Sequence, residues 1–199
     1  MRIYQYLNYN EYVKAQKDGF EKKNSNQWAI EENIKFLSEY LFWKLLPKRG
    51  ICHGTRSGLE QRWFMKYLKE CYVIGTEIGT IHDILTVQWD FNQERSDWIR
   101  KFDFLYSNSF DHAFDPKKTL QVWARQVKIG GLMVLEYDRR NEHTGEISLD
   151  VNRIDPVSLT IKELIKIVPR WVIGSKVIDV IHMPVVTQQW RKAIIIEIG

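Results

Sequence analysis

The sequence predicts an α/β fold: a doubly wound, mostly parallel sheet with one late antiparallel strand, preceded by an N-terminal helical cap. Short apolar runs rich in β-branched residues alternate with longer segments whose apolar residues recur at the helical period. Strands joined by crossover helices run parallel, so five strands are expected to share one direction. Apolar runs at residues 176–181 and 192–198 then predict a terminal strand pair.

Length and composition predict one globular domain with a small appendage. The chain has 199 residues, of which 44% are hydrophobic and 27% charged, and its net charge is +4. We expect a cap at residues 1–47 and a main domain at residues 48–199. No apolar run approaches the roughly 20 residues of a membrane helix, and the first residues lack an apolar signal core. Cys52 and Cys71 lack metal or disulfide spacing, so we expect reduced thiols, a cytoplasmic location and no membrane partner.

Two helices are predicted in the cap. Asn10 is a candidate N-cap for the first, and Tyr12, Ala15 and Gly19 fall on one side of it at helical spacing. The second is predicted over residues 28–46 and ends before Pro47. Its apolar residues follow the helical period: Ile30, Ile34, Leu37, Leu41 and Leu45.

A glycine turn follows the cap. Residues 50–60 contain Gly54 and Gly58 and lead into a helix predicted to run from Gly58 to Cys71. Such a turn lets the backbone approach a ligand, while the new helix offers unpaired N–H groups to polar or anionic atoms. The next strand ends at Glu77, where a carboxylate can accept both hydroxyl hydrogens of a ribose. This order of elements predicts a nucleotide site, with an ordinary turn as the alternative.

Polar residues also follow the later strands. Asp90 and Phe91 come after the third strand, where they can bond an adenine amino group and cover its ring; Asp90 can equally cap a loop. Asp111 and His112 lie in the loop after the fourth strand. In this part of the chain we expect strands at residues 72–77, 86–89, 102–107 and 132–136 and helices at 117–127 and 160–167. We also expect a glycine turn at 129–131 and a lid at 137–153.

Together these stretches resemble the class I S-adenosylmethionine-dependent methyltransferases, whose fold is Rossmann-like. Residues 51–58 look like the family's first glycine motif, Glu77 like its ribose acid and Asp90 like its adenine-side acid. Residues 102–112 are similar to its fourth motif. Residues 123–136 look like the segment before and through its fifth strand. The resemblance implies S-adenosyl-L-methionine as the cofactor.

Carried over position by position, the resemblance covers residues 50–199 and departs from the family at two places. Cys52 stands where an acid is usual, which removes a partner for the methionine end of the cofactor. Arg56 stands where a second glycine is usual, and it can bond the cofactor carboxylate or block the pocket; we favour bonding. The implied cofactor-binding residues are His53, Gly54, Thr55, Arg56, Gly58, Glu77, Ile78, Asp90, Phe91, Ser107 and Asn108.

Methyl transfer is an in-line displacement that needs close positioning and often a base. The family's loop after the fourth strand faces the methyl group, so Asp111 and His112 are the candidate catalytic residues, with His112 as a base near neutral pH. Alternatively, His112 bonds backbone or cofactor and Asp111 caps a helix. His143 and Glu146 do not form a recognised ligand set, so no metal is expected.

The function predicted from this resemblance is methyl transfer to a small-molecule or sugar-containing acceptor. A first alternative is a non-catalytic cofactor-binding or assembly protein of the same fold, because Cys52 and Arg56 depart from the motif. A second is a nucleic-acid methyltransferase that uses basic residues of the cap: Lys14, Lys17, Lys22 and Lys23. Glu136 stands where an RNA ribose methyltransferase would carry a lysine, which argues against that activity.

Overall fold

The computed structural model describes residues 2–3, 5–23, 27–81, 83–138, 156–186 and 191–199. Its helices are α1 (Tyr9–Lys22), α2 (Glu31–Leu45), α3 (Leu59–Tyr67), α4 (Pro116–Gln126) and α5 (Ile161–Trp171). Its strands are β1 (Arg2–Ile3), β2 (Arg49–His53), β3 (Tyr72–Glu77), β4 (Thr86–Gln88), β5 (Phe102–Ser107), β6 (Val127–Asp138), β7 (Val157–Ser158), β8 (Lys176–His182) and β9 (Arg191–Glu197).

Seven strands form the main sheet in the order β4-β3-β2-β5-β6-β9-β8. Pairs from β4 to β6 are parallel, and β9 is antiparallel to both of its neighbours. The predicted fold class, a doubly wound sheet with a late antiparallel strand, is therefore confirmed. Strand β8 runs with β6, so six strands share one direction. A two-stranded sheet of β1 and β7, which the sequence did not predict, ties the N-terminus to residues 157–158.

Side chains alternate between two apolar cores, one on each face of the sheet. Strand β5 shows the alternation: Leu105 packs in one core with Trp123 of α4, while Phe104 packs in the other with Phe64 of α3. Helix α2 belongs to the second core through residues including Leu37. The division of the chain at residue 47 stays a prediction, although α2 is part of the layer that covers the sheet.

Two expected turns are strands in the structure. Gly50 lies in β2, and a Cβ atom there would stand 2.3 Å from the ring of Phe104, so close packing explains this glycine. Strand β6 begins at Val127 instead of at residue 132, and its pairing with β5 shifts register after Val127, so residues 128–131 form a bulge within the strand. Gly130 supplies the positive φ of 77° that this irregularity requires.

Helix ends follow their capping residues. Helix α1 begins after Asn8, whose side chain accepts from the Glu11 N–H at 3.0 Å, instead of at the predicted Asn10. Helix α3 ends at Tyr67, before the predicted Cys71. Both cysteines are free and buried, as expected for structural thiols. Across the described ranges, no helix combines the length and the apolar character that crossing a membrane requires.

Candidate functional site

A cleft opens at the carboxyl ends of β2, β3 and β5, on the side that α1 covers. It encloses about 550 Å³, including the solvent at its mouth. In open α/β sheets this edge is where ligands bind. The lining residues are Tyr12, Gln16, Gly19, Phe20, Lys23, Gly54, Arg56, Glu77, Ile78, Asp90, Phe91, Ser109 and His112.

The glycine turn forms the floor of this cleft. The N–H groups of Gly54 and Thr55 both donate to the Thr76 carbonyl, at 2.9 and 3.1 Å, which holds the turn against β3. Gly54 has a φ of 71°, and a Cβ atom there would lie 2.7 Å from the side chain of Ser109. Both features require glycine, because an added side chain would strain the backbone and collide with the loop after β5.

Glu77 is fixed at the end of β3 by backbone groups. One carboxylate oxygen accepts from the Arg56 N–H at 2.9 Å, and the other accepts from the N–H groups of Ile78 at 2.8 Å and Gly79 at 3.3 Å. The side chain lines the cleft, although the residue is only 8% exposed. A carboxylate oxygen has more than one lone pair, so Glu77 retains capacity for ligand hydroxyl groups.

Arg56 lines the same cleft beside Glu77. Its φ is 43°, which places the residue in the left-handed region. Burial lowers the pKa of its guanidinium, while the nearby charges of Glu77 and Glu60 act in the opposite direction. Arg56 therefore puts a positive charge at the base of the cleft, between two carboxylates.

Asp90 both lines the cleft and caps its own loop. One carboxylate oxygen accepts from the backbone N–H of Asn92 at 2.9 Å and from its side-chain amide at 2.7 Å. The other accepts from the Tyr9 hydroxyl of α1. Burial and the Asp90 hydrogen bond raise the pKa of Tyr9, so this hydroxyl stays protonated. The two roles weighed for Asp90, ligand contact and loop cap, are compatible in this geometry.

Asp111 and His112 occupy one short 3₁₀ turn but line different pockets. His112 lines the main cleft, and its Nδ1 lies 2.8 Å from Oε1 of Gln16 in α1. Because that oxygen is an acceptor, Nδ1 donates in this hydrogen bond. Asp111 lines an adjacent pocket of about 320 Å³, solvent included. This pocket, which we call the Asp111 pocket, is lined by Asn108, Phe110, Asp111, Leu135, Glu136, Tyr137, Val157, Leu159 and Leu164.

His53 is not placed in the cleft, contrary to the role expected for it. Its Nδ1 pairs with Thr76 Oγ1 at 2.7 Å and its Nε2 with Gln126 Oε1 at 2.8 Å. The ring packs on Trp123 with centroids 5.0 Å apart. Burial lowers the pKa of His53 to about 4, so the ring is neutral at physiological pH. Its partners make it a core residue that ties β2 to α4.

Four other residues that were expected to bind the cofactor do not line the cleft. Thr55 and Ser107 are buried, and the Ser107 hydroxyl donates to the His53 carbonyl at 3.0 Å. Gly58 is the N-cap of α3, with a φ of 75°. Asn108 lines the Asp111 pocket instead. These residues shape the turn and the loop that hold the lining residues. His82, His143, Glu146 and Asp150 lie outside the described residues.

Helix α1 contributes residues to the lining of the cleft, and the sequence did not identify them as site residues. Phe20 stands against Gly79, where a Cβ atom would lie 2.3 Å from the ring. The Tyr12 hydroxyl donates to the His112 carbonyl at 3.0 Å. Tyr12 and Gly19 were predicted to share a face, and the polar Gln16 between them was the available signal that this face covers a site and not a core.

A buried charge cluster lies behind the cleft, which we call the inner cluster: Glu60, Tyr106, Glu136 and Arg191. Arg191 Nη1 donates to Glu136 at 3.0 Å, and the Tyr106 hydroxyl donates to the other Glu136 oxygen at 2.8 Å. Burial raises the pKa of Glu136, and Arg191 opposes that shift. Glu60, 3% exposed, has its pKa raised to about 8, chiefly by burial.

No protein-family model and no curated protein matches the chain. Solved structures do match it. The 1,6-didemethyltoxoflavin-N1-methyltransferase of Burkholderia thailandensis, crystallised with 1,6-didemethyltoxoflavin and S-adenosylhomocysteine, gives a TM-score of 0.73 at 12% identity over 98% of this chain and 92% of that one. The N-methyltransferase NodS of Bradyrhizobium japonicum, in complex with S-adenosylhomocysteine, gives 0.63 at 11% identity over 93% and 99%. The [4+2]-cyclase SpnF gives 0.63 at 10% identity over 92% and 77%.

At these identities the similarity concerns the fold. It extends over nearly the whole of this chain, including the N-terminal helices, and over a sheet whose one antiparallel strand lies between the last two parallel strands. The chain therefore has the fold of the class I S-adenosylmethionine-dependent methyltransferases.

Proposed function

We propose that the chain is an S-adenosylmethionine-dependent methyltransferase that acts on a small-molecule or sugar-containing acceptor. The observation that carries the proposal is that Glu77 and Asp90, which follow the neighbouring strands β3 and β4, line one cleft with the Gly54 turn. Two neighbours of the same fold were crystallised with S-adenosylhomocysteine, which supports this choice of cofactor.

The residues of the cleft fit this cofactor along its length. Glu77 would accept from the ribose hydroxyls and Asp90 from the adenine amino group. Ile78 and Phe91 line the cleft on the adenine side and offer apolar surface to a ring. Arg56 would bond the cofactor carboxylate, since a guanidinium matches a carboxylate in two-pronged geometry. When bound, the cofactor supplies a methyl group on a positively charged sulfonium sulfur.

The Asp111 pocket is the candidate position for part of the acceptor, because it combines apolar walls with a few polar groups. Its walls are apolar at Phe110, Leu135 and Leu164, with polar groups at Asp111 and Asn108, and such pockets hold ligands by apolar contact and a few placed hydrogen bonds. The 3₁₀ turn 110–112 contributes His112 to the cleft and Asp111 to this pocket. His112 is the group suited to take a proton from an acceptor nitrogen or hydroxyl, because it lines the cleft in the loop after β5.

The non-catalytic alternative has one observation in its favour. The Cys52 thiol is buried with a raised pKa, so it carries no charge for the methionine end of a cofactor. The nucleic-acid alternative has weaker support: Lys14 and Lys17 are exposed on α1, but the acids Asp18 and Glu21 are exposed beside them.

Transfer of a labelled methyl group tests the proposal. With methyl-labelled S-adenosylmethionine and a panel of N-heterocycles, amines and nucleosides, we expect label in a small molecule. His112→Gln should lower kcat by about 100-fold, because a positioned base contributes on that order. His182→Gln, an exposed histidine of β8, is the matched control and should match the parent. Label in bulk RNA but in none of the small molecules would favour the nucleic-acid alternative; binding without transfer to either would favour the non-catalytic one.

A further inference from the structure

Helices α4 and α5 form one layer on the same face of the sheet. Both contribute to the apolar core that contains Trp123, α4 through residues including Leu120 and α5 through residues including Leu164. The Gln121 side-chain amide of α4 donates to the Trp171 carbonyl of α5 at 2.9 Å, which joins the two helices directly. Because the inner sides of both helices are buried against the sheet, their outer sides together form a continuous surface toward solvent.

The outer surface of this layer, which we call the basic face, carries six exposed cations. On α5 they recur every four residues, so Lys162, Lys166 and Arg170 lie along one side of the helix. The other three are on α4: Lys117, Lys118 and Arg125. The two helices contain a single acid and so have a net charge of +5, whereas the whole chain has +4. The rest of the chain sums to −1, so the net positive charge of the protein is concentrated on these two helices.

Acids beside the basic face are engaged in local contacts. Glu163 completes the capping box at the start of α5, and Asp115 caps α4 by accepting from the Lys118 N–H at 3.0 Å. Glu94 pairs with Arg125 at 2.7 Å, and both side chains of this pair are exposed. None of the other five cations forms an ion pair within the described part of the chain. The basic face therefore keeps most of its positive charge available to an external partner.

Exposed aliphatic side chains accompany the cations of α5. Ile165 is 41% exposed, and Ile173, two residues past the end of the helix, is 92% exposed. Phosphates of a nucleic acid attract Lys and Arg but gain nothing from isoleucine. A membrane that contains anionic lipids attracts the same cations to its headgroups and also accepts aliphatic side chains at the boundary with the acyl chains. The combination of cations and isoleucines favours a lipid surface over a nucleic acid.

We propose that the basic face binds the surface of a membrane that contains anionic lipids. Each Lys or Arg near such a surface contributes about 5-fold in affinity, equivalent to about 1 kcal/mol, and Ile173 enters the headgroup layer. The expected absence of a membrane partner rests on the length of apolar runs, which governs spanning and not binding at the surface. No residue of the basic face lines the cleft or the Asp111 pocket, so this proposal is independent of the proposed function.

Vesicle flotation of the full chain tests the proposal. We expect the parent to bind vesicles of phosphatidylcholine mixed with phosphatidylserine but not phosphatidylcholine alone, and to be released as added salt screens the charges. Replacing Lys162, Lys166 and Arg170 together by Gln should weaken binding about 100-fold, because each cation contributes about 5-fold. The matched control removes the same charge from the exposed sides of α1 and α2 and should weaken binding by less than about 5-fold. It combines three substitutions: Lys14→Gln, Lys17→Gln and Lys35→Gln.

Ile173→Ser separates a lipid surface from other polyanions. We expect about 10-fold weaker binding to the mixed vesicles, because burial of an isoleucine side chain is lost, and unchanged binding to single-stranded RNA. Equal binding of the parent to both kinds of vesicle, or equal losses in the α5 variant and its control, would overturn the proposal. RNA binding that depends on the α5 cations, with vesicle binding unaffected by Ile173→Ser, would assign the basic face to nucleic acid instead. Should the α5 variant not fold, Ile173→Ser decides: unchanged vesicle binding overturns the proposal.

Discussion

Arg191→Met is expected to destabilise the fold by about 3–5 kcal/mol, the range for removing one partner of a buried ion pair. The side chains of Arg191 and Glu136 are 5% and 4% exposed. Arg191 also donates to the Trp28 carbonyl at 2.7 Å, so it joins β9, β6 and the segment before α2. Without it, Glu136 keeps a buried charge with only the Tyr106 hydroxyl as a donor among the described residues.

The loss of stability in Arg191→Met should grow as pH rises. Burial already raises the pKa of Glu136, and removal of Arg191 raises it further, so the folded-state value lies above that of the unfolded chain. A group of this kind contributes stability at low pH that is lost as pH rises. The deficit of Arg191→Met should therefore be larger at pH 8 than at pH 5.

Urea unfolding of three variants checks this prediction. Adding Glu136→Leu to Arg191→Met should recover most of the loss, because an apolar pair leaves no buried charge. Lys176→Met, which breaks an exposed pair with Glu197, should change stability by less than about 1 kcal/mol. A loss below 1 kcal/mol for Arg191→Met alone would contradict the view of Arg191 as the residue that neutralises the inner cluster.

Glu77→Gln is expected to weaken S-adenosylhomocysteine binding by about 100-fold or more, since hydrogen bonds to a charged group contribute about 1.5–3 kcal/mol each. In the parent protein, the Glu77 carboxylate accepts from three backbone N–H groups, those of Arg56, Ile78 and Gly79. A glutamine would turn an NH₂ group toward at least one of these donors. The variant therefore loses a ribose acceptor and also loosens the turn that carries Arg56.

Calorimetric titration of the parent and two variants measures this effect. Glu70→Gln, whose side chain is 78% exposed, should bind as the parent does. Circular dichroism of Glu77→Gln establishes whether the sheet is intact. A folded Glu77→Gln protein with parental affinity would place the ribose elsewhere and remove the main support for the proposed cofactor orientation.

The fold was predictable because its signals are local. The apolar run of β5 and the glycine turn before α3 are patterns within short stretches of sequence. Parallel strands bring their carboxyl ends to one edge of the sheet, so the shared position of Gly54, Glu77 and Asp90 follows from the order of the elements alone. His53 was misplaced for an equally simple reason. Side chains alternate along β2, which turns His53 toward Trp123 on the face that Ile51 also uses.

Contacts between distant parts of the chain could not be predicted. Tyr9 and Asp90 are 81 residues apart, and Arg191 and Glu136 are 55 apart, so no periodic pattern links them. Glu60 looked like an ordinary residue of a helix first turn, where acids are common. Only its burial distinguishes it.

The most direct test of the account is a calorimetric titration of the parent chain with S-adenosylhomocysteine at pH 7. We expect one site with a dissociation constant on the order of 1–100 μM, equivalent to roughly 5–8 kcal/mol of binding free energy. Prior addition of S-adenosylmethionine should suppress the heat, because the proposed site for both ligands is the cleft of Glu77 and Asp90. No heat at about 1 mM ligand, where the weakest expected binding still saturates the site, would contradict the account.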